Sequence, residues 1–236
     1  MDKDNQSIQI SQLSYRWPGS QRDLLNISEL SIQQGESVFI HGSSGSGKST
    51  LLNLLSGILN PTQGNLKILG QDITRLSKAK HDSFRADHFG IIFQQFNLIP
   101  YLTVMENILL PLSFSRHRQT KLANTEKNIN HHVLELLKSL ELDAEVVSNR
   151  NITELSTGQQ QRIAVARALI GSPEIIIADE PTSALDADTK HKFIELLFSQ
   201  TRKTNSILIF VSHDHSLAGM FDKTLAMDNF TSEHIS

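Results

Sequence analysis

The stretch HGSSGSGKSTLL, His41 to Leu52, places three glycines and a lysine between an apolar run (Val38, Phe39, Ile40) and an apolar-periodic segment. Its spacing is Gly, four residues, Gly, Lys, Ser/Thr: Gly42, Ser43, Ser44, Gly45, Ser46, Gly47, Lys48 and Ser49. Glycine tolerates positive φ, so successive backbone N–H groups can turn inward around an anion. A helix starting there adds free N–H groups and the positive end of its dipole. In such a loop Lys48 reaches the β- and γ-phosphates of a nucleotide, the Ser49 hydroxyl ligates Mg²⁺, and Thr50 donates on the α-phosphate side. The segment IIIADE adds Asp179, able to hold Mg²⁺ through a water. Glu180 beside it can polarise a water for in-line attack on the γ-phosphate. In ELSTGQQQRIAVARALIGSP, Ser156 and Gln159 have capping-box spacing, which predicts a helix start. That helix continues through Ile163, Ala166, Leu169 and Ile170 and stops at Gly171 and Pro173. Gly158 lets a ligand approach the backbone and Ser156 offers a hydroxyl, so this is a second anion site in one chain.

These groups need elements to hold them. SVFI (37–40), EIIIA (174–178) and SILIFV (206–211) are short, β-branched and unbroken by polar alternation. Strands buried on both faces of a parallel sheet read this way. They lead into the glycine loop, Asp179-Glu180 and Ser212-His213 respectively, and open α/β sheets bind ligands beyond the carboxyl ends of their strands. SIQISQLSYRW, LLNISELSIQQGE and GNLKILGQDI alternate or nearly so, with turns at Pro18-Gly19, Gly35 and Gly70, which predicts a small antiparallel sheet. Residues 93–170 read mostly helical. NHHVLELLKSLEL carries Val133, Leu134, Leu136, Leu137 and Leu140 on one stripe, and the polar SFSRHRQTKLANTEKN before it reads as a loop or exposed helix end.

The 236 residues suffice for one large or two modest domains. A net charge of −3 provides no basic field for nucleic acid, so none is expected as a partner. Cysteine is absent, which excludes disulfides and thiol chemistry. The N-terminus lacks the apolar stretch of a secretory signal, and no apolar run approaches the roughly 20 residues of a membrane span. The chain is therefore not expected to cross a membrane by itself. His131 and His132 are sequence neighbours pointing about 100° apart on a helix, which argues against a shared metal.

LSTGQQQR resembles the signature motif of ATP-binding cassette (ABC) ATPases, usually written LSGGQ. The family's other motifs follow its order: GSSGSGKST, IIFQQFNL like the glutamine loop, the signature, IIIADEP, SALD like the D-loop, and VSHD like the switch histidine. LSYRWPG resembles the strand–turn that carries an adenine-stacking aromatic. The resemblance covers nearly the whole chain. It implies an α/β fold: a P-loop NTPase (RecA-like) core with a mainly parallel sheet, an N-terminal antiparallel β subdomain and an inserted α-helical subdomain. Residues 1–92 and 171–236 would form the core with its β subdomain, and 93–170 the helical signature subdomain.

The same resemblance implies ATP hydrolysis with Mg²⁺ by a head-to-tail dimer, each ATP lying between the phosphate loop of one copy and the signature of the other. Ser156, Thr157, Gly158 and Gln159 would then meet the γ-phosphate bound by the second copy. Gln94 would bind Mg²⁺ or the attacking water, and His213 would contact the γ-phosphate. Asp186 would couple the two sites, and Trp17, ahead of Tyr15, would stack on adenine. Thr157 departs from the usual glycine. A β-branched residue at the first helical position is sterically acceptable, so altered turnover or partner contact with retained activity is expected.

SFRADHFGIIFQQFNLIPYLTVMENILLPL and DITRLS resemble the ATPases of lipoprotein release, macrolide export and related cell-division complexes. Their partner is a separate membrane permease, which would place this chain on the cytoplasmic face of the inner (plasma) membrane. Phe96, Leu98, Ile99, Pro100 and Tyr101 read either as core of the insert or as a groove for a permease helix. The alternative is a soluble ABC ATPase of DNA repair or translation, whose usual long coiled-coil insertion or second cassette is absent here. A guanine-specificity Asn/Thr-Lys-x-Asp element is also absent, which argues against a GTPase.

Overall fold

The computed structural model describes residues 7–124, 128–143, 150–183 and 185–231. The chain divides into two compact units, residues 1–85 with 207–236, and residues 86–206.

The first unit holds the alternating segments. β1 (Ile8–Tyr15), β2 (Leu25–Ile32), β4 (Gln63–Ile68) and β5 (Gln71–Asp72) form an antiparallel sheet ordered β2-β1-β4-β5. Its register pairs Ile8 with Ile32 and Ile10 with Leu30, so one apolar face is buried throughout. A parallel set flanks β3 (Ser37–His41), which pairs with β8 (Ile207–Val211) and β9 (Lys223–Ala226). The rings of Phe39, Phe210 and Phe221 pack together with centroids 5.2–6.3 Å apart. Ser37 donates from N and Oγ to the Asp222 carboxylate at 2.8 and 2.6 Å, and Lys223 Nζ donates to Ser31 O at 2.7 Å, tying β9 to β2. α1 (Lys48–Leu55) follows β3 and buries Leu51, Leu52, Leu54 and Leu55.

In the second unit β6 (Phe89–Ile92) pairs in parallel with β7 (Ile175–Asp179), in the register Phe89↔Ile175 and Ile92↔Ala178. The sequence reading placed no strand at 89–92, because FGII is short and interrupted by glycine. Gly90 is required there: a Cβ on it would sit 2.1 Å from Ala168 O. α2 (Lys78–His88), most of whose residues belong to the first unit, leads into β6. The remaining helices are α3 (Val104–Leu109), α4 (Arg116–Ala123), α5 (Ile129–Ser139), α6 (Thr157–Leu169) and α7 (Ala187–Thr204). On α5 the stripe buries Val133 and Leu137, while Leu134 is exposed. No described helix is long and apolar enough to cross a membrane.

The polar segment read as a loop or exposed helix end corrects to the packed helix α4, within which Arg118 is 1% exposed. Residues 125–127 of that segment lie outside the described residues. The Arg118 guanidinium is spent on backbone carbonyls, donating to Phe89 O and, at 3.3 Å each, to Asp87 O and Ile170 O. Burial lowers its pKa to about 10 against the opposing charges of Glu174 and Asp87. A polar helix is thus anchored by a cation that composition assigns to solvent. Arg118→Leu strands buried carbonyls, each worth about 1–3 kcal/mol. The expected result is a destabilisation of about 3 kcal/mol, seen as a lower urea midpoint; an unmoved midpoint would show that the anchor carries no stability.

Candidate functional site

Each unit, taken by itself, holds the ends of two neighbouring parallel strands. In the first unit β3 and β8 run side by side with Ile40 opposite Val211, so the glycine loop and Ser212-His213 leave neighbouring strands at the same edge. Gly45 and Gly47 have φ of 82° and 92°, the left-handed conformation the loop requires. Gly47 caps α1 without a side-chain hydrogen bond, which leaves the first N–H groups of the helix for another acceptor. Lys48 Nζ donates to Gly42 O at 2.7 Å and Ser43 O at 2.9 Å and so closes the loop on itself. Ser46 Oγ is buried with no hydrogen-bond partner, an orphaned polar atom inside a phosphate-type loop. Ser49 is exposed in the first turn of α1, and Thr50 is buried.

A cleft of about 980 Å³ is lined by Ser43, Ser44, Gly45 and Ser46 on one side and by Trp17, Arg16 and Asp23 on another. Trp17 is 46% exposed and Tyr15 only 5%; the two rings meet edge to face at 5.2 Å. Trp17 therefore offers a free indole face to the same cleft as the loop, and Tyr15 supports it from behind. His213 is exposed after β8, and Asp214 N donates to Ser212 Oγ at 3.1 Å. Close by in sequence, the rings of His41 and His215 lie 4.2 Å apart. Burial, then the His215 charge, pushes the His41 imidazole below its ordinary pKa.

In the second unit Gln94 follows β6 and Asp179 ends β7, the neighbouring parallel strand. Gln94 Nε2 lies 3.5 Å from Ser183 Oγ. Glu180 has φ 48°, a left-handed conformation that costs a residue with a Cβ about 1–3 kcal/mol. The capping box at Ser156 is present: Gln159 N donates to Ser156 Oγ at 3.3 Å, and Ser156 N to Gln159 Oε1 at 3.0 Å. Ser156, Thr157 and Gly158 are exposed, and a Cβ on Gly158 would meet nothing within 4 Å. Thr157 is not among the positive-φ residues, so its β-branched side chain is accommodated without backbone strain. A concavity of about 290 Å³ opens over this helix start, lined by Ser156, Gly158, Gln159, Arg162 and Glu141. Asp186 caps α7, accepting from Thr189 N at 3.0 Å and Thr189 Oγ1 at 2.8 Å; those bonds lower its pKa.

Two residues that the sequence reading did not single out tie this unit together. Gln161 is buried on α6 and donates to Pro181 O at 2.9 Å, bracing the turn after Glu180. Arg167, also on α6, donates to Asn97 O at 2.6 Å and Phe96 O at 2.5 Å; both acceptors have positive φ. The signature helix thereby grips both the loop after Gln94 and the turn after Glu180. A polar side chain on the otherwise apolar face of a helix was the available signal.

The ABC transporter family model matches residues 25–183. The ABC transporter ATP-binding protein YtrE of Bacillus subtilis is 42% identical over 191 residues, covering 81% of this chain and 79% of YtrE. The dimeric structure of MJ0796, an ABC transporter cassette from Methanocaldococcus jannaschii, superposes with a TM-score of 0.76 at 35% identity, covering 93% of this chain and 94% of that one. A post-hydrolysis structure of MJ0796 bound to ADP and Pi gives 0.75 at 36% identity, covering 93% of each. With the phosphate loop, the capped signature helix and the strand-end acids in the family's order, the chain belongs to the ABC transporter family, as an ATP-binding and ATP-hydrolysing cassette.

Proposed function

We propose that this ATPase works as a head-to-tail pair of copies and drives a separate integral-membrane permease from the cytoplasmic face of the inner (plasma) membrane. The observation that carries the pairing is the presence of two anion-type surfaces in one chain. One is the cleft shared by Trp17 and the glycine loop, and the other is the exposed helix start at Ser156 and Gly158. A second copy brings a γ-phosphate to the latter, as the dimeric state of MJ0796 supports.

In this reading Trp17 stacks on adenine, while Gly42 to Gly47 turn their amides toward the phosphates. Lys48 exchanges its loop carbonyls for the β- and γ-oxygens. The exposed Ser49 hydroxyl, the Asp179 carboxylate and the Gln94 amide are hard oxygen donors of the kind Mg²⁺ takes. Mg²⁺ supplies charge neutralisation on the phosphate oxygens. Glu180 takes the proton of the attacking water, and Gln94 and His213 position the water and the γ-phosphate. Ser156, Thr157, Gly158 and Gln159 close on the second copy's nucleotide, and Asp186 holds the D-loop turn that couples the two sites. Gln94 reports nucleotide state to the helical subdomain, residues 93–170. The resemblance of residues 83–112 to lipoprotein-release and macrolide-export ATPases supports export, lipoprotein release or mechanotransmission as the task.

Trp17→Ala removes a stacking contact worth about 1–3 kcal/mol, so the Kd for ATP rises about 10- to 100-fold, measured by calorimetry. An unchanged Kd would remove Trp17 from the base site. Permease coupling is tested by a photo-crosslinker at Tyr101, which is 80% exposed. Capture of a multi-spanning membrane protein from native cells is expected. Capture of ribosomal or DNA-associated proteins alone would overturn the coupling and leave the ATPase standing.

A further inference from the structure

Away from the nucleotide machinery, His88, His117 and Glu174 converge. Their ligand atoms all lie within 4.8 Å of one another, the only such group of three His, Cys, Asp or Glu side chains among the described residues. His88 Nδ1 is 2.9 Å from Glu174 Oε2, His117 Nε2 is 3.6 Å from Glu174 Oε1, and the two rings are 5.1 Å apart. Lys121 Nζ also donates to Glu174 Oε1 and, at 3.0 Å, to Ser172 O. A plain charge hub accounts for Lys121 and His88. His117 joins it at ion-pair distance only, its nitrogen standing beyond hydrogen-bond reach of the carboxylate. With metal–ligand bonds of about 2.0–2.2 Å, neighbouring ligand atoms stand about 2.8–3.6 Å apart in octahedral or tetrahedral sites; His88 Nδ1 is at such a distance from Glu174 Oε2 and His117 Nε2 from Oε1, so the two imidazoles address different oxygens of one carboxylate.

The backbone prepares this arrangement. His88 and Glu174 immediately precede Phe89 and Ile175, which face each other in the β6–β7 register, so sheet pairing sets the two ligands side by side. His117 adjoins Arg118, whose buried bonds to Phe89 O and Ile170 O fix α4 over the same edge. Lys121 Nζ holds Glu174 Oε1, the oxygen that His117 approaches, so an ion at this site competes with its ammonium for that oxygen. Only His117, 41% exposed, has to turn to close the set.

We propose that His88, His117 and Glu174 bind one divalent transition-metal ion, with Zn²⁺ the ion this His₂-carboxylate donor set favours. The site is separate from the catalytic one. Glu174 stands at the amino end of β7 and Asp179 at its carboxyl end, five residues and about 16 Å along a strand. Its role is to pin α4 to the β6–β7 pair, so the metal adds stability and leaves turnover unchanged.

The test is calorimetric titration of the untagged, nucleotide-free full chain with Zn²⁺ alone, with Co²⁺ absorption reporting the ligand field. The expected result is one equivalent of Zn²⁺ per chain, a raised Tm and a visible Co²⁺ spectrum. His117→Ala, at a half-exposed position that circular dichroism checks for folding, weakens binding at least tenfold, and Glu174→Gln does the same. Lys121→Ala tightens binding by removing a competing ammonium. No uptake, or uptake of unchanged affinity in His117→Ala, overturns the proposal.

Discussion

Glu180→Gln binds ATP with parental affinity and loses about 10²- to 10⁴-fold in turnover, the contribution typical of a positioned general base. The substitution is nearly isosteric and keeps the Cβ, so the left-handed backbone at φ 48° and the turn braced by Gln161 on Pro181 O are retained. What changes is the ability to accept a proton, which an amide lacks. In the proposed reading binding draws on Trp17 and the loop from Gly42 to Thr50, whose sequence the substitution leaves unchanged. Steady-state phosphate release and nucleotide titration separate the two effects, and the ATP-loaded protein accumulates as a dimer. A rate within tenfold of the parent would refute the base assignment.

Ser156→Arg loses ATP-dependent dimerisation, read by light scattering, while its nucleotide Kd stays within about twofold of the parent. Ser156 is exposed at the start of α6 and far in sequence from every residue that lines the cleft at Trp17. A guanidinium there fills the concavity over Gly158 and keeps a second copy's γ-phosphate from reaching the helix N-terminus. The lost cap costs about 1 kcal/mol, too little to unfold the domain. Ser156→Thr, which keeps the cap, should dimerise like the parent. Persistent ATP-dependent dimers in Ser156→Arg would count against the paired reading.

The sequence by itself determined the strands and which motifs follow them. SVFI, EIIIA and SILIFV are strands because unbroken β-branched runs suit burial on both faces, and each runs into its motif as expected. The helix start at Ser156 was equally legible, since a capping box is a contact between residues three apart. Local periodicity and local hydrogen bonds are written in adjacent letters. The polar segment that became α4 was not legible, because its anchor is Arg118 on carbonyls 29 and 52 residues distant. Gln161, Arg167 and the His88–His117–Glu174 cluster have the same origin. A charged side chain reads as solvent-facing until the chain returns to surround it with acceptors. Tertiary structure alone decided those partners, since burying a polar group is tolerated only where its hydrogen bonds are made, and the groups that make them come from elsewhere in the chain.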